Sequence, residues 1–180
     1  MPRHVAFLRA INVGGSHVVK MDALRGWFEG LGYTKVETFI ASGNVIFEAR
    51  SKDLASMERR IEKALEARLG YEVATFIRSL EDVAAITRYQ PFAPEIMASA
   101  AALNVGLLKA PLSAAARAAL PSLLTAVDDV HTKGSELYWI CLKRQSESKI
   151  SNAVFERTLK LKATFRGLRT LEKLAAKYPA

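Results

Sequence analysis

The chain has 180 residues, half of them apolar and about a quarter charged, a composition typical of a soluble globular protein with one compact domain or two small halves. No apolar stretch approaches the ~20 residues that cross a bilayer, and the start MPRHVAFLRA lacks the long apolar region of a signal peptide. We therefore expect no membrane partner and a cytoplasmic location. The net charge is +8, and residues 143–180 hold 10 Lys or Arg against 3 Asp or Glu, which favours an anionic partner.

The first 79 residues predict one α+β half. HVAFLRAI (His4–Ile11) is an apolar run typical of a buried strand, and MDALRGWFEGLG has helical spacing. KVETFIA and NVIFEA predict the two strands of a hairpin. The next helix is capped by Ser51 or Asp53 and stopped by Gly70, and YEVATFIR is a further strand. This order of strands and helices is the split βαβ, or ferredoxin-like, arrangement.

Residues 80–101 predict a linker helix and a loop, and residues 102–180 predict a second α+β half. ALNVGLL is a strand, SAAARAAL is a helix with Ser113 as its cap, and DDVHTK with ELYWICLK forms a second hairpin. Two helices follow, at Ile150–Lys160 and Thr164–Tyr178. The predicted fold class is α+β, with two ferredoxin-like halves packed together, antiparallel sheets covered by helices on one face, and helices at the carboxyl end.

Three stretches resemble a bacterial family known as domain of unknown function 1697: FLRAINVGGSHVVKMDALRGWFEGLGY, VETFIASGNVIFE and, more loosely, TFRGLRTLEKL. Members of that family typically end in a Thr-x-Arg-Asn-Trp-x-Thr segment. Thr164, Arg166 and Thr170 fit it, whereas Gly167 and Leu168 stand where Asn and Trp are usual. The resemblance implies a two-part α+β fold and supplies no reaction.

The loop after the first strand is the first candidate site. Gly14 and Gly15 allow close backbone approach, and Asn12 and Lys20 flank them just before a helix. These residues could hold a phosphate or carboxylate. The alternative is that the loop only turns the chain, and its spacing matches neither the dinucleotide nor the P-loop pattern.

Ser42, Gly43 and Asn44 are predicted to serve only as the turn of the hairpin, since these residue types favour tight turns. We place it at the opposite end of the sheet from Asn12, so that the two would not converge within one half. A second hypothesis, a small-molecule enzyme or ligand-binding protein, puts Arg9, Ser42 and Asn44 in a cleft between the halves.

The terminal helix is the third candidate. Arg166, Arg169, Lys173 and Lys177 recur at helical spacing opposite an apolar stripe, which predicts a cationic face for an anion. The alternative is a merely solvated face. The first hypothesis for function is accordingly binding of phosphate or nucleic acid through this face; a structural or protein-interaction role is the third. We expect no cofactor and no metal, since the three histidines lack ligand spacing, and we expect Cys141 to be buried.

Overall fold

The computed structural model describes residues 1–12, 15, 17–41 and 43–180, and it contains two four-stranded antiparallel sheets with helices. The strands are β1 (Arg3–Leu8), β2 (Thr34–Thr38), β3 (Asn44–Glu48), β4 (Thr75–Ser79), β5 (Ala102–Leu107), β6 (Asp128–Lys133), β7 (Glu136–Cys141) and β8 (Thr164–Gly167). The helices are α1 (Met21–Gly30), α2 (Leu54–Leu69), α3 (Leu80–Arg88), α4 (Pro94–Ser99), α5 (Ala114–Ala119), α6 (Asn152–Leu159) and α7 (Leu168–Lys177). The predicted α+β class is confirmed.

Both sheets have the same strand order. The first runs β2-β3-β1-β4 and the second β6-β7-β5-β8, with every neighbouring pair antiparallel. In each sheet the helix between the first two strands carries the chain back, so that these strands run in the same direction. The third strand then lies between them and antiparallel to both.

The chain divides into two compact units. Unit 1 comprises Met1–Ile86 and Leu174–Ala180, and unit 2 comprises Thr87–Lys173. Relative to the boundaries expected from the sequence, most of α3 (residues 80–86) and the last seven residues belong to unit 1. No helix of the described residues has both the length and the apolar content to cross a membrane.

The core of unit 1 lies between its sheet and two helices. Side chains alternate along a strand, so Ala6 and Phe47 face α1 and α2, where they join Phe28 and Ile61 in one buried cluster. The expected ends of α2 are confirmed. The Asp53 carboxylate accepts the Ser56 N–H at 3.0 Å, and Gly70 closes the helix with φ of 77°, a conformation that favours glycine.

Unit 1 also includes the end of α7. The Tyr178 hydroxyl donates to Glu37 Oε2 at 2.8 Å, and the Arg3 guanidinium lies 5.3 Å from the centre of the Tyr178 ring. Burial, helped by the Glu37 carboxylate, raises the pKa of Tyr178 to about 12. The phenol therefore stays protonated, and it ties the last turn of the chain to β2.

Aromatic side chains dominate the core of unit 2. The Trp139 and Phe155 rings are 5.3 Å apart, and the Phe155 and Phe165 rings are 5.1 Å apart. Gly106 on β5 permits this packing, because a Cβ there would lie 2.7 Å from the Phe165 ring. Cys141 on β7 is buried, as expected, and burial raises the pKa of its thiol.

One predicted element is wrong. The chain from Thr164 to Tyr178 is not a single helix: β8 comes first, and α7 begins only at Leu168. The helical spacing of the apolar and basic residues of α7 led to the prediction of a helix that begins four residues earlier, at Thr164. However, the four-residue strand completes the second sheet by pairing with β5. The strand that closes the first sheet, β4, occupies the equivalent place and would have predicted β8 by analogy.

Candidate anion-binding site

The first loop and the hairpin turn of unit 1 meet, and the prediction that they lie at opposite ends of the sheet is wrong. The Asn12 side-chain amide donates to the Ala41 carbonyl at 2.8 Å, and the Leu8 N–H donates to the Gly43 carbonyl at 2.8 Å. The physical reason is that β1 and β2 run in the same direction. The end of β1 and the turn after β2 therefore share one edge of the sheet.

The asparagines at this edge shape the backbone. Asn12 also accepts the Val19 N–H at 2.7 Å and donates to the Val19 carbonyl at 3.2 Å, which closes the loop upon itself. Asn44 is fully buried, and its amide donates to the Phe39 carbonyl at 2.9 Å. Gly43 has φ of 81°, and a Cβ there would lie 3.1 Å from Leu8 Cβ, so the close approach of the two segments depends on this glycine.

The remaining predicted residues of this edge differ in burial. Arg9 is half-buried and its N–H donates to the Ala74 carbonyl at 3.0 Å, whereas Gly15 is exposed. Lys20 is exposed in front of α1, and its side chain makes no capping hydrogen bond. Gly14 and Ser42 lie outside the described residues.

Arg166 is not part of a solvent-facing helix surface, and that prediction is wrong. It lies on β8 with only 9% of its surface exposed, and its Nη1 donates to Thr164 Oγ1 at 2.7 Å and to the Phe165 carbonyl at 3.0 Å. Burial lowers the pKa of its guanidinium to about 10, so the group stays charged at neutral pH. The polar neighbours of Arg166 therefore support a buried charge.

Helix α7 has one buried side and one exposed basic side. Leu171 and Leu174 are fully buried, while Arg169 and Lys173 are exposed. Among the described residues, neither cation has a carboxylate within ion-pair distance. Lys177, the third basic residue of α7, instead makes a cation–π contact, with its ammonium 5.7 Å from the centre of the Phe39 ring.

A cavity of about 450 Å³ adjoins the start of α7 within unit 2. Arg169 and Gly167 line it together with Asn104 of β5. The Asn104 Nδ2 atom is buried and makes no hydrogen bond to any described residue. Among the described residues that line the cavity, Glu172 supplies the one carboxylate, and its side chain is exposed. Sequence reasoning missed Asn104, although a polar residue inside the apolar run ALNVGLL was a usable signal.

The first turn of α7 lacks a side-chain cap. Leu168 follows β8 directly, and no described side chain accepts a hydrogen bond from the N–H groups of Leu168, Arg169 or Thr170. The start of a helix carries partial positive charge and unsatisfied N–H donors. Asn104, Arg169 and the first residues of α7 therefore line one cavity, an arrangement suited to an oxyanion.

In the described part of the chain, no three His, Cys, Asp or Glu side chains lie close enough together to hold a metal ion. The buried carboxylate of unit 2, Asp128, is occupied by its neighbours. It accepts hydrogen bonds from Trp139 Nε1 at 2.9 Å, Thr125 Oγ1 at 2.6 Å and Ser148 Oγ at 2.8 Å. Burial opposes ionisation, yet these donors together hold the pKa of Asp128 below its usual value.

Comparison with known proteins identifies a family and a solved structure of similar fold. A family model described as a protein of unknown function (DUF1697) matches residues 1–138. A solved structure of the conserved bacterial protein SP0830 from Streptococcus pneumoniae is 24% identical, with a TM-score of 0.72 over 97% of each chain. At this identity the likeness shows the fold alone. A comparison with curated proteins finds no match.

Proposed function

The chain belongs to the DUF1697 family of proteins of unknown function. We propose that it binds a phosphate-bearing partner, nucleic acid, through unit 2. The observation that carries this proposal is the open start of α7. There the unpartnered Asn104 amide and the exposed Arg169 share a cavity with uncapped backbone donors. Lys173 continues the basic surface one turn along the same helix.

The charge of the two units supports the choice of partner. Unit 2 contains 13 Lys or Arg against 7 Asp or Glu, whereas unit 1 contains 13 against 11. Phosphate contacts of this kind give affinity without base discrimination, and their strength falls with salt because counterions are released. The protein is therefore expected to bind nucleic acid with little sequence preference.

The test is a titration of a fluorescent generic single-stranded oligonucleotide at several salt concentrations. Replacing Arg169 and Lys173 together by Ala removes two phosphate contacts. We expect affinity at low salt to fall at least tenfold and the slope of log affinity against log salt to decrease by about 1.4, at ~0.7 per contact.

The matched control is the double variant Arg59→Ala with Lys63→Ala, which removes the same charge from exposed positions of α2 in unit 1. Its binding should stay within about twofold of the wild type after the general charge effect is allowed for. Equal losses in both double variants, or no binding by the wild type, would overturn the proposal. Glu172→Gln should strengthen binding, because it removes the carboxylate beside the site.

A further inference from the structure

A second cavity, of about 560 Å³, lies in unit 1 where α1 ends, β3 ends and α2 begins. Its size is that of a pocket for a small organic molecule. Leu31, Ala49 and Met57 give it apolar walls, and its polar side chains come from Tyr33, the segment after β3 and the first turns of α2.

Tyr33 is the unusual member of this wall. Only 7% of its surface is exposed, and its hydroxyl makes no hydrogen bond of ordinary geometry to any described residue, although the Arg60 guanidinium interacts with it. A buried hydroxyl without a well-formed hydrogen bond destabilises the fold, so its presence calls for an explanation. The ring is fixed by Phe47, whose centre is 4.6 Å away, and the Arg60 guanidinium lies 5.8 Å from the ring centre.

Most of the other polar side chains of the cavity can donate hydrogen bonds. Arg50 and Arg60 supply two exposed guanidinium groups, and Ser51 and Ser56 supply hydroxyls. Ser51 Oγ already accepts the Asp53 N–H at 3.1 Å, which leaves its proton free to be donated.

No unpaired carboxylate opposes these donors among the described lining residues. Glu48 is the carboxylate of the cavity, and it accepts from Lys35 Nζ at 3.0 Å. That hydrogen bond lowers the pKa of Glu48, so the pair remains ionised. Burial raises the pKa of the Tyr33 phenol, with the Arg60 charge only partly opposing, and the phenol therefore remains a donor at neutral pH.

We propose that this cavity binds a small organic phosphate, whose phosphoryl group lies between Arg50 and Arg60 and accepts the Tyr33 hydroxyl proton. Planar guanidinium groups match phosphate oxygens in paired hydrogen bonds, and a phosphate offers more acceptor atoms than a carboxylate for this many donors. Because Tyr33 Oη has no exposed surface, binding moves the Arg60 side chain off the ring and onto the ligand. This site is independent of the nucleic-acid surface of unit 2.

The test is a titration of the full chain with phenyl phosphate, followed by amide chemical shifts. Saturable shifts should concentrate at Tyr33, Ala49 and Ser56. Inorganic phosphate should bind the same residues more weakly, because it leaves the apolar walls empty, and benzoate should bind at least tenfold more weakly than phenyl phosphate. Equal binding of benzoate, or shifts confined to unit 2, would overturn the proposal.

Variants separate this site from a general charge effect. Arg60→Gln should weaken phenyl phosphate binding at least tenfold, whereas Arg59→Gln, the adjacent exposed arginine of α2 that does not line the cavity, should change it less than twofold. Tyr33→Phe keeps the ring and removes the hydroxyl, so the fold is retained while binding weakens about tenfold. Unchanged binding in Tyr33→Phe, with urea unfolding showing an intact protein, contradicts the assigned role of the hydroxyl.

Discussion

The two strand-to-helix junctions that follow β4 and β8 are built alike, and they differ at one detail. Arg78 on β4 and Arg166 on β8 are both buried, and in each the Nη1 donates to the carbonyl of the preceding residue, at 2.9 and 3.0 Å. A helix begins two residues later in both cases. The arginine has the same local geometry in both sheets. This repetition indicates that it stabilises the junction and does not bind a ligand.

The difference lies at the helix start. At the first junction Ser79 Oγ accepts the Asp82 N–H at 3.0 Å and the Asp82 carboxylate accepts the Ser79 N–H at 3.0 Å, a reciprocal capping box. At the second junction the matching positions are Gly167 and Thr170, and no described side chain caps the turn. The first junction is closed by its own carboxylate, while the second leaves donors available to an external anion.

Removing either arginine should have the largest effect and tests whether the two junctions are equivalent. Arg78→Ala and Arg166→Ala each remove buried hydrogen bonds and leave a void. We therefore expect each to lower the free energy of unfolding by about 2–4 kcal/mol, and the two losses to agree within about 1 kcal/mol. Urea unfolding measures both. If Arg166→Ala left stability unchanged and abolished oligonucleotide binding, Arg166 would be a ligand contact and the equivalence would fail.

Transplanting the cap sharpens the comparison with a smaller effect. In Gly167→Ser with Thr170→Asp, the new Cβ at position 167 fits, since the nearest atoms to it lie at 4.0 Å. The double variant should gain about 0.5–1 kcal/mol in the free energy of unfolding and lose oligonucleotide affinity, because the new carboxylate satisfies the donors of α7.

The reverse change, Asp82→Ala, opens the first junction. It should cost about 1 kcal/mol and leave oligonucleotide affinity unchanged. A transplant that stabilises α7 yet binds as the wild type does would show that the open helix start is not the anion site.

The smallest effect is a pH dependence confined to unit 1. His4 is 3% exposed, and burial lowers its pKa, with the Pro2 carbonyl and the Asp82 charge partly opposing. Below the unfolded pKa of about 6.5, the unfolded chain takes up a proton that the folded chain resists. The contribution of His4 to the free energy of unfolding is therefore fully present above pH 6.5. It falls as the pH drops below that value, by at most ~1.4 kcal/mol per pH unit.

His4→Phe removes this titration and keeps the ring next to Phe47, whose centre is 5.7 Å from that of His4. Between pH 7.5 and 5.5, urea unfolding should lose more stability in the wild type than in the variant. Parallel pH profiles would mean that His4 is protonated equally in the folded and unfolded chains.

The sequence predicted most of the fold and little of the site. Alternating apolar strands and the caps at Asp53 and Ser113 are local signals, and both caps are observed. The sequence analysis missed β8 because four residues are too few for strand alternation to be told from helical spacing. The meeting of Asn12 with Ala41 follows from the parallel directions of β1 and β2, which the predicted split βαβ order already implied. The cavity beside Asn104 depends on Asn104 and Gly167, which are 63 positions apart in the chain.

The last turn of α7 belongs to unit 1, where Tyr178 reaches Glu37. A ribosome releases the amino-terminal sheet long before it makes this residue, so the first unit must wait, incompletely assembled, until the second has been translated. Fragments ending at Ile86 would consequently lack a piece of their own core.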